Sequence, residues 1–448
     1  MDRLQAQVLG ALSHALDITE GQPRGHSERS AVLARRLAER VGLAPDDVDR
    51  VVLAALLKDA GCSSNAAKVA ALYGNDDAVA KRDRMITDHL RPAQSLRHIV
   101  RSTAPGASPA AKLRHFRALA AHGSEGSRQL TALRCDRGAQ AAAQVGLDAE
   151  VQQAIRDLDE HWDGRGYPFG LEGDAISIFG RILCLAQTLE VFWVLGGAAD
   201  ALRVAWDRSG TWFDPALVAL VGGEGDPMWT GLEEADPTAG LAESASGTVG
   251  EDELDRIAGA FATIVDAKSG YTARHSTGVA EISRALAVHL GLPEEDQRRL
   301  HRAGLLHDIG KLGVSSLILD KPGKLDDREW AAMRRHPELG LEVLNGVEAL
   351  RDAAWLAAVH HERLDGSGYF RGLGAEQLSR SARIIAVADV AEALTADRPY
   401  RAGMPIDEVL ATVRRDAGTK LDGSAVEALA DVLSARTAAA PSTLAHAA

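Results

Sequence analysis

Aromatic residues make up only 4% of this 448-residue chain, and cysteines number three. Strand-like runs of Val, Ile and Thr are nearly absent. Without them a β-sandwich or barrel has nothing to build on. An odd, small number of cysteines gives no disulfide framework. Basic residues are outnumbered, with a formal charge of −13, which excludes a protein that coats nucleic acid with a basic face. The first residues, MDRLQAQVLG, lack a basic-then-apolar leader pattern. The most apolar stretch, RILCLAQTLEVFWVLGG, is broken by Gln187 and Glu190 and reads as too short to span a bilayer. The expectation is a cytoplasmic protein with no membrane segment.

What is present is helical. Hydrophobic residues are 46% of the chain, and segments such as AEISRALAVHLGL carry apolar residues at helical spacing. The length suits about two or three domains. The chain also repeats itself. LDEHWDGRGYPFGL (158–171) resembles HHERLDGSGYFRGL (360–373), and the same offset lays GRILCLAQTLEVF over ARIIAVADVAEAL. Upstream, GHSERSAVLARRLAERVGL matches RHSTGVAEISRALAVHLGL, and TALRCDRGAQ matches AAMRRHPELG. Matched blocks in one order indicate two copies of one all-α domain. The expected boundaries are 1–222 for the first copy, 223–251 for an acidic, Gly-rich linker, 252–438 for the second copy and 439–448 for a frayed tail.

The second copy places polar residues oddly. His275 opens a helix, His307 and Asp308 sit in AGLLHDIGK, and His336 sits in MRRHPELG. His360 and His361 follow AAWLAAV, and Asp389 lies among Ile, Val and Ala. One buried Asp or His is ordinarily a paired core residue. Seven in one domain are a site. An unpaired ionised carboxylate in such surroundings costs several kcal/mol and needs a cation. Imidazole and carboxylate donors without thiolate suit iron, manganese, zinc or nickel. Seven donors exceed one ion's needs, so two ions are expected, with Asp308 between them. Such a pair suits phosphate-ester hydrolysis. Lys311, one turn after His307 and Asp308 on a helix, could hold a phosphate oxygen.

His275, the pair His307-Asp308 and Asp389 resemble the His…His-Asp…Asp set of HD-superfamily phosphohydrolases. HDIGK, His336 and HHERLDGSGY make the second copy similar to the HD-GYP family over nearly its whole length. The resemblance implies an all-α domain holding two divalent ions, iron or manganese. It implies hydrolysis of cyclic di-GMP to pGpG or GMP. It implies metal ligation by His275, His307, Asp308, His336, His360, His361 and Asp389, with Asp308 and Lys311 as the catalytic residues. Substrate contacts are expected from Lys311, Arg398, Arg401, Gly368 and Tyr369. Diguanylate cyclases are expected partners of the Gly-Tyr-Pro lips, and a homodimer stays open. Two departures stand out: Phe370 replaces the expected Pro, and Tyr271 replaces the Glu found where a third ion binds. Gly278 stands where Arg is common.

The first copy keeps His26 and Asp59 and an intact Gly166-Tyr167-Pro168. Lys58 replaces His307, Cys62 replaces Lys311, Asp136 aligns with His336, Leu158 and Asp159 replace the His pair, and Gln187 replaces Asp389. It is therefore expected to bind no catalytic metal, with Lys58 paired to Asp59 or Asp136. Cys62, Cys135 and Cys184 fall near the spent site, and as a group read as small core residues or as a redox or soft-metal sensor with His26 or His161. Three functions compete: a cyclic di-GMP phosphodiesterase, an HD hydrolase of another nucleotide or phosphoester, and a cyclic-dinucleotide-binding scaffold.

Overall fold

The computed structural model describes residues 3–234, 236–238, 241, 250–269, 274–396 and 402–439. Among these the chain is all-α. No strand forms, and β pairing is limited to isolated bridges such as Asp163–Glu172 and Asp365–Gly374. Arg398, Arg401 and Tyr271 lie outside the described residues. The chain divides into two compact units.

The first unit is built on the helices His26–Val41, Pro45–Leu57 and Ile178–Asp207. Pro45 at the start of its helix suits the fixed φ of proline, and Asp46 and Asp47 lie at the positive end of the helix dipole. Leu33, Leu37, Val52, Leu56, Ile182, Leu185 and Leu189 are buried between these helices. The Ile178–Asp207 helix runs 30 residues, past non-helical backbone at Gly196 and Gly197. It is longer than its apolar run suggested, and by length and composition it could cross a membrane. In this fold, half of its most apolar stretch is buried, and Glu190 on it is held by His26 and Arg29.

The expected boundary at 252 does not coincide with the packing. The helix Glu251–Asp266 belongs to the first unit, with residues up to 270 and the segments Leu312–Lys321 and Gly346–Glu348. The reason is burial. Leu254, Ile257, Phe261 and Ile264 of that helix are covered as it packs on the helix Pro109–Gln144 and the turn Cys62–Asn65. Lys268, also covered, lies 3.4 Å from the Asp77 carboxylate and donates to the Leu312 carbonyl at 2.6 Å.

The second unit packs the helices His275–His289, Glu294–Leu306, Arg351–Ala358, Arg380–Thr395 and Gly423–Ala439. Val279, Ile282 and Leu286 recur at helical spacing and face Leu300, Ile385, Val387 and Leu429 in one apolar core. Each such side chain contributes about 1.5–3 kcal/mol on burial. That core holds the helix ends carrying the polar residues in fixed positions.

Candidate metal centre

The helix expected to carry HDIGK stops early. It ends at Leu306, His307 caps it, and Ile309–Gly313 is a 3-10 turn. Lys311 therefore sits on this tight turn and not on a continuing α-helix. Gly310 permits the turn: a Cβ there would lie 1.9 Å from the His336 carbonyl oxygen. This close approach brings the His307-Asp308 segment against the start of the helix His336–Leu344.

All seven expected ligands meet in one place. His307 Nδ1 donates to the Gly304 carbonyl at 2.8 Å, and His336 Nδ1 to the Met333 carbonyl at 2.7 Å. His360 Nδ1 donates to the Ala357 carbonyl, and His275 Nδ1 to the Glu392 carboxylate. With Nδ1 committed, each ring turns its Nε2 inward, where it can hold a metal in place of a proton. The inward atoms are close: His275 to His307 is 3.1 Å and His336 to His360 is 3.4 Å. Donor atoms cluster as two triads, His275-His307-Asp308 and His336-His360-His361. Asp308 joins them. Its Oδ2 lies 3.4 Å from His275 and 3.3 Å from His307, while Oδ1 lies 3.5 Å from His336. Asp389 also reaches both, 3.5 Å from His275 and 3.7 Å from His361.

The charges fit a cation. Burial, the largest influence, would raise both carboxyl pKa values. It is outweighed by His307 and Lys311 at Asp308, and by His275, His361 and His360 at Asp389, so both stay well below the usual carboxylate range. Burial also pushes His336 down to about 4 and holds His360 and His361 well below ordinary imidazole. At His275 burial is overcome by hydrogen bonds to Asp308, Asp389 and Glu392, so its pKa stands well above the ordinary value. A proton on His275, set among three carboxylates, does electrostatically what a metal ion would do better. Asp308 Oδ1 is buried with no hydrogen-bond partner, as an atom kept for a ligand bond would be. The residues thus fit divalent metal in both triads.

Two functional groups went unrecognised in the sequence. Among the described residues, the Glu392 side chain bonds only His275. Its counterpart Glu190 is shared between His26 and Arg29. Gly278, aligned with Arg29, removes the competing guanidinium. Glu362 is the other: its carboxylate accepts from the backbone N–H groups of Arg371 at 2.6 Å, Gly372 at 3.1 Å and Leu373 at 3.0 Å. Glu160 does the same for Phe169 and Leu171. In both pairs the shared 202-residue offset was visible, but neither Glu sits in the motif as usually read.

The lip lies beside the second triad. Tyr369 stacks on His361 with ring centroids 4.4 Å apart. Gly368 allows the turn, since a Cβ there would lie 2.4 Å from Glu362 Cα. Asp365 accepts from the Ser367 N–H at 2.9 Å and shapes the turn without reaching the metal donors. Phe370 takes a positive φ of 113°, which L residues rarely adopt. Lys311 Nζ donates to Asp308 and is partly exposed.

In the first unit Lys58 pairs with Asp59 and lies 3.0 Å from His26 Nε2. Burial opposes the Lys58 charge, but Asp59 outweighs it and raises the pKa, while Asp59 is held low. The alignment of Asp136 with His336 is corrected. A Cβ on Gly61 would strike the Arg134 carbonyl and the Gly138 nitrogen, as one on Gly310 would strike those of His336 and Gly340. Arg134 is therefore the counterpart of His336. It pairs with Asp159, while Asp136 faces Arg156 at the surface. The sequence alignment was slipped by two residues: Gly138, not Gln140, is the counterpart of Gly340. Glu20, Asp59 and Cys62 also converge, but Lys81 holds Glu20 and Lys58 holds Asp59. All three cysteines are buried, and burial raises each thiol pKa. They are small protonated core residues, which removes the basis for a thiolate redox sensor.

The HD-domain family profile matches residues 120–217 and 260–425. Over 434 residues the chain is 39% identical to the 3'3'-cGAMP-specific phosphodiesterase 3 of Vibrio cholerae, covering 96% of this chain and 94% of that one. The chain belongs to the HD-GYP family of HD-domain phosphohydrolases. It is accordingly an enzyme, a metal-dependent phosphoric diester hydrolase. The crystal structure of a cyclic GMP-AMP-specific phosphodiesterase of V. cholerae, V-cGAP3, matches this HD-GYP chain with a TM-score of 0.63 at 35% identity, covering 96% of this chain and 97% of the other. The cyclic di-GMP phosphodiesterase response regulator RpfG of Xanthomonas campestris is 39% identical over 171 residues, 38% of this chain and 45% of that protein.

Proposed function

We propose that the second unit hydrolyses a cyclic dinucleotide with two divalent ions, iron or manganese, one in each donor triad. The observation that carries the reading is the convergence of His275, His307, Asp308, His336, His360, His361 and Asp389 through inward nitrogens and carboxylate oxygens. 3'3'-cGAMP is the preferred substrate and cyclic di-GMP the secondary one. The support is extent of likeness: the relative matched end to end carries the cGAMP name, whereas RpfG is matched over less than half its length.

Bound ions would polarise the phosphoryl oxygens and supply a hydroxide at neutral pH. The chain's own groups do the rest. Asp308 ties the two triads together through its two oxygens. Glu392 and the backbone carbonyls fix the imidazole tautomers. Lys311, partly exposed beside Asp308, offers an ammonium to a non-bridging phosphate oxygen as charge builds in the transition state. The Tyr369 phenol, its pKa raised by burial and by Asp389 and Asp308, stays protonated and can donate to the substrate. Arg398 and Arg401 are proposed as further phosphate contacts.

The test is hydrolysis of 3'3'-cGAMP, cyclic di-GMP and a linear dinucleotide by metal-loaded protein, read by chromatography. The expected order of kcat/KM is 3'3'-cGAMP, then cyclic di-GMP, then the linear species, with all turnover lost in Asp308→Ala. Turnover retained in that variant would reject the site, and a preference for cyclic di-GMP would reject the substrate order.

A further inference from the structure

The first unit has lost most of its metal donors but not its cavity. A space of about 240 Å³ lies among residues of the spent site, including Asp59, Asp159, Gln187 and Tyr167. Lys81, Arg84, Arg134 and Arg165 also line it. Three of these cations have carboxylates: Lys81 has Glu20 at 3.1 Å, Arg134 has Asp159, and Arg165 has Asp163 at 2.8 Å. Arg84 has none. Among the described residues its guanidinium makes no hydrogen bond and no ion pair. Its side chain is solvent-accessible, yet burial lowers its pKa, with Arg134 adding repulsion. A guanidinium both wet and walled by protein lines a cavity and calls for an anion.

Aromatic rings also line the cavity. Tyr73, His89, His161, Tyr167 and Trp212 line it, with His161 stacked on Trp212 at 4.1 Å. Burial pushes His161 down to about 4 and His89 to about 2, so both rings are neutral at pH 7 and add no charge. His161 Nδ1 is buried without a hydrogen-bond partner. An unpaired guanidinium lining the same cavity as several aromatic rings, with Arg208 over Trp212 at 4.4 Å, offers a phosphate contact beside a base site. At about 240 Å³ the cavity is smaller than the pockets of about 300 Å³ upward that hold drug-sized ligands, which favours a single nucleotide over a cyclic pair.

We propose that the first unit is a binding site for a nucleoside monophosphate, its phosphate on Arg84 and its base among Tyr73, Tyr167 and the edge of Trp212, whose ring faces already carry His161 and Arg208. The ligand is held and not hydrolysed, because Lys58 and Arg134 stand where His307 and His336 hold metal in the second unit.

The test is calorimetric titration of GMP into full-length, chelator-treated protein, with inorganic phosphate as the comparison ligand. Asp308→Ala separates this site from the second unit's. The expected result is one GMP site, unchanged in Asp308→Ala, weakened at least about tenfold in Arg84→Ala and weakened less in Arg84→Lys, which keeps the charge but not the guanidinium fork and controls for folding. No GMP binding by the Asp308→Ala protein would overturn the proposal. So would undiminished binding by a folded Arg84→Ala protein, or phosphate binding as tightly as GMP.

Discussion

Replacing Glu392 with Gln isolates what the carboxylate does for His275. The amide keeps the size and can still accept from Nδ1–H, so packing against Gly278 survives and only the charge is lost. In the native protein that charge raises the basicity of His275, whose Nε2 lies 3.5 Å or less from Asp308, Asp389 and His307. Losing a carboxylate behind a ligating imidazole costs about 10- to 100-fold in metal affinity, or about 1.4–2.8 kcal/mol. Easier deprotonation of His275 returns part of this, because the proton competes with metal for the same nitrogen, so the lower end is expected. The assay is competition for Mn(II) against a chromophoric chelator at pH 7.5, with the melting temperature followed in parallel. An affinity within twofold of wild type would refute the reasoning. If the melting temperature alone fell, Glu392 would be a structural anchor, as Glu190 is beside its lysine-filled site.

Two further outcomes follow from particular residues. Phe370→Pro restores the expected lip residue but cannot adopt a φ of 113°, since proline fixes φ near about −65°. The variant should lose at least about 2 kcal/mol of stability and most of its activity; a melting temperature equal to wild type would show that the lip rebuilds freely. The pH dependence turns on His161, whose folded pKa of about 4 lies below the unfolded 6.5. The unfolded chain takes the proton first, so stability is full above 6.5, falls as pH drops towards about 4, and is level below. The full difference is about 3 kcal/mol. His161→Phe keeps the stack on Trp212 and should flatten this part of the denaturation midpoint between pH 7 and 4.5; an unchanged slope would contradict it.

The candidate ligands that the fold brings together were legible where an imidazole or carboxylate interrupts an apolar helical run, as at His307, Asp308, His360 and Asp389, whereas His275 and His336 lie in polar surroundings and were legible only as parts of a motif. The all-α class was equally plain, since nothing alternates. Other features depend on contacts the sequence does not display. The helix ending at Leu306 is set by a glycine pressed on a distant carbonyl. The place of Glu251–Asp266 in the first unit depends on which apolar face it covers, and amphipathicity does not name the partner. Arg134 was hidden because an arginine stands where a histidine was sought, and the glycine that fixes the register, Gly138 under Gly340, shows its role only through its contact with Gly61. The nucleotide-sized cavity is a gap between side chains from several elements, for which no motif exists.

The central claim is that the scattered imidazoles and acids of the second unit exist to hold cations. Metal content by mass spectrometry on protein purified without oxygen tests it most directly, comparing the wild type with Asp308→Ala. The account predicts close to two transition-metal ions per chain in the wild type and fewer than one in the variant. A wild-type chain that turns over substrate with no bound metal, or a variant that keeps both ions, would contradict it.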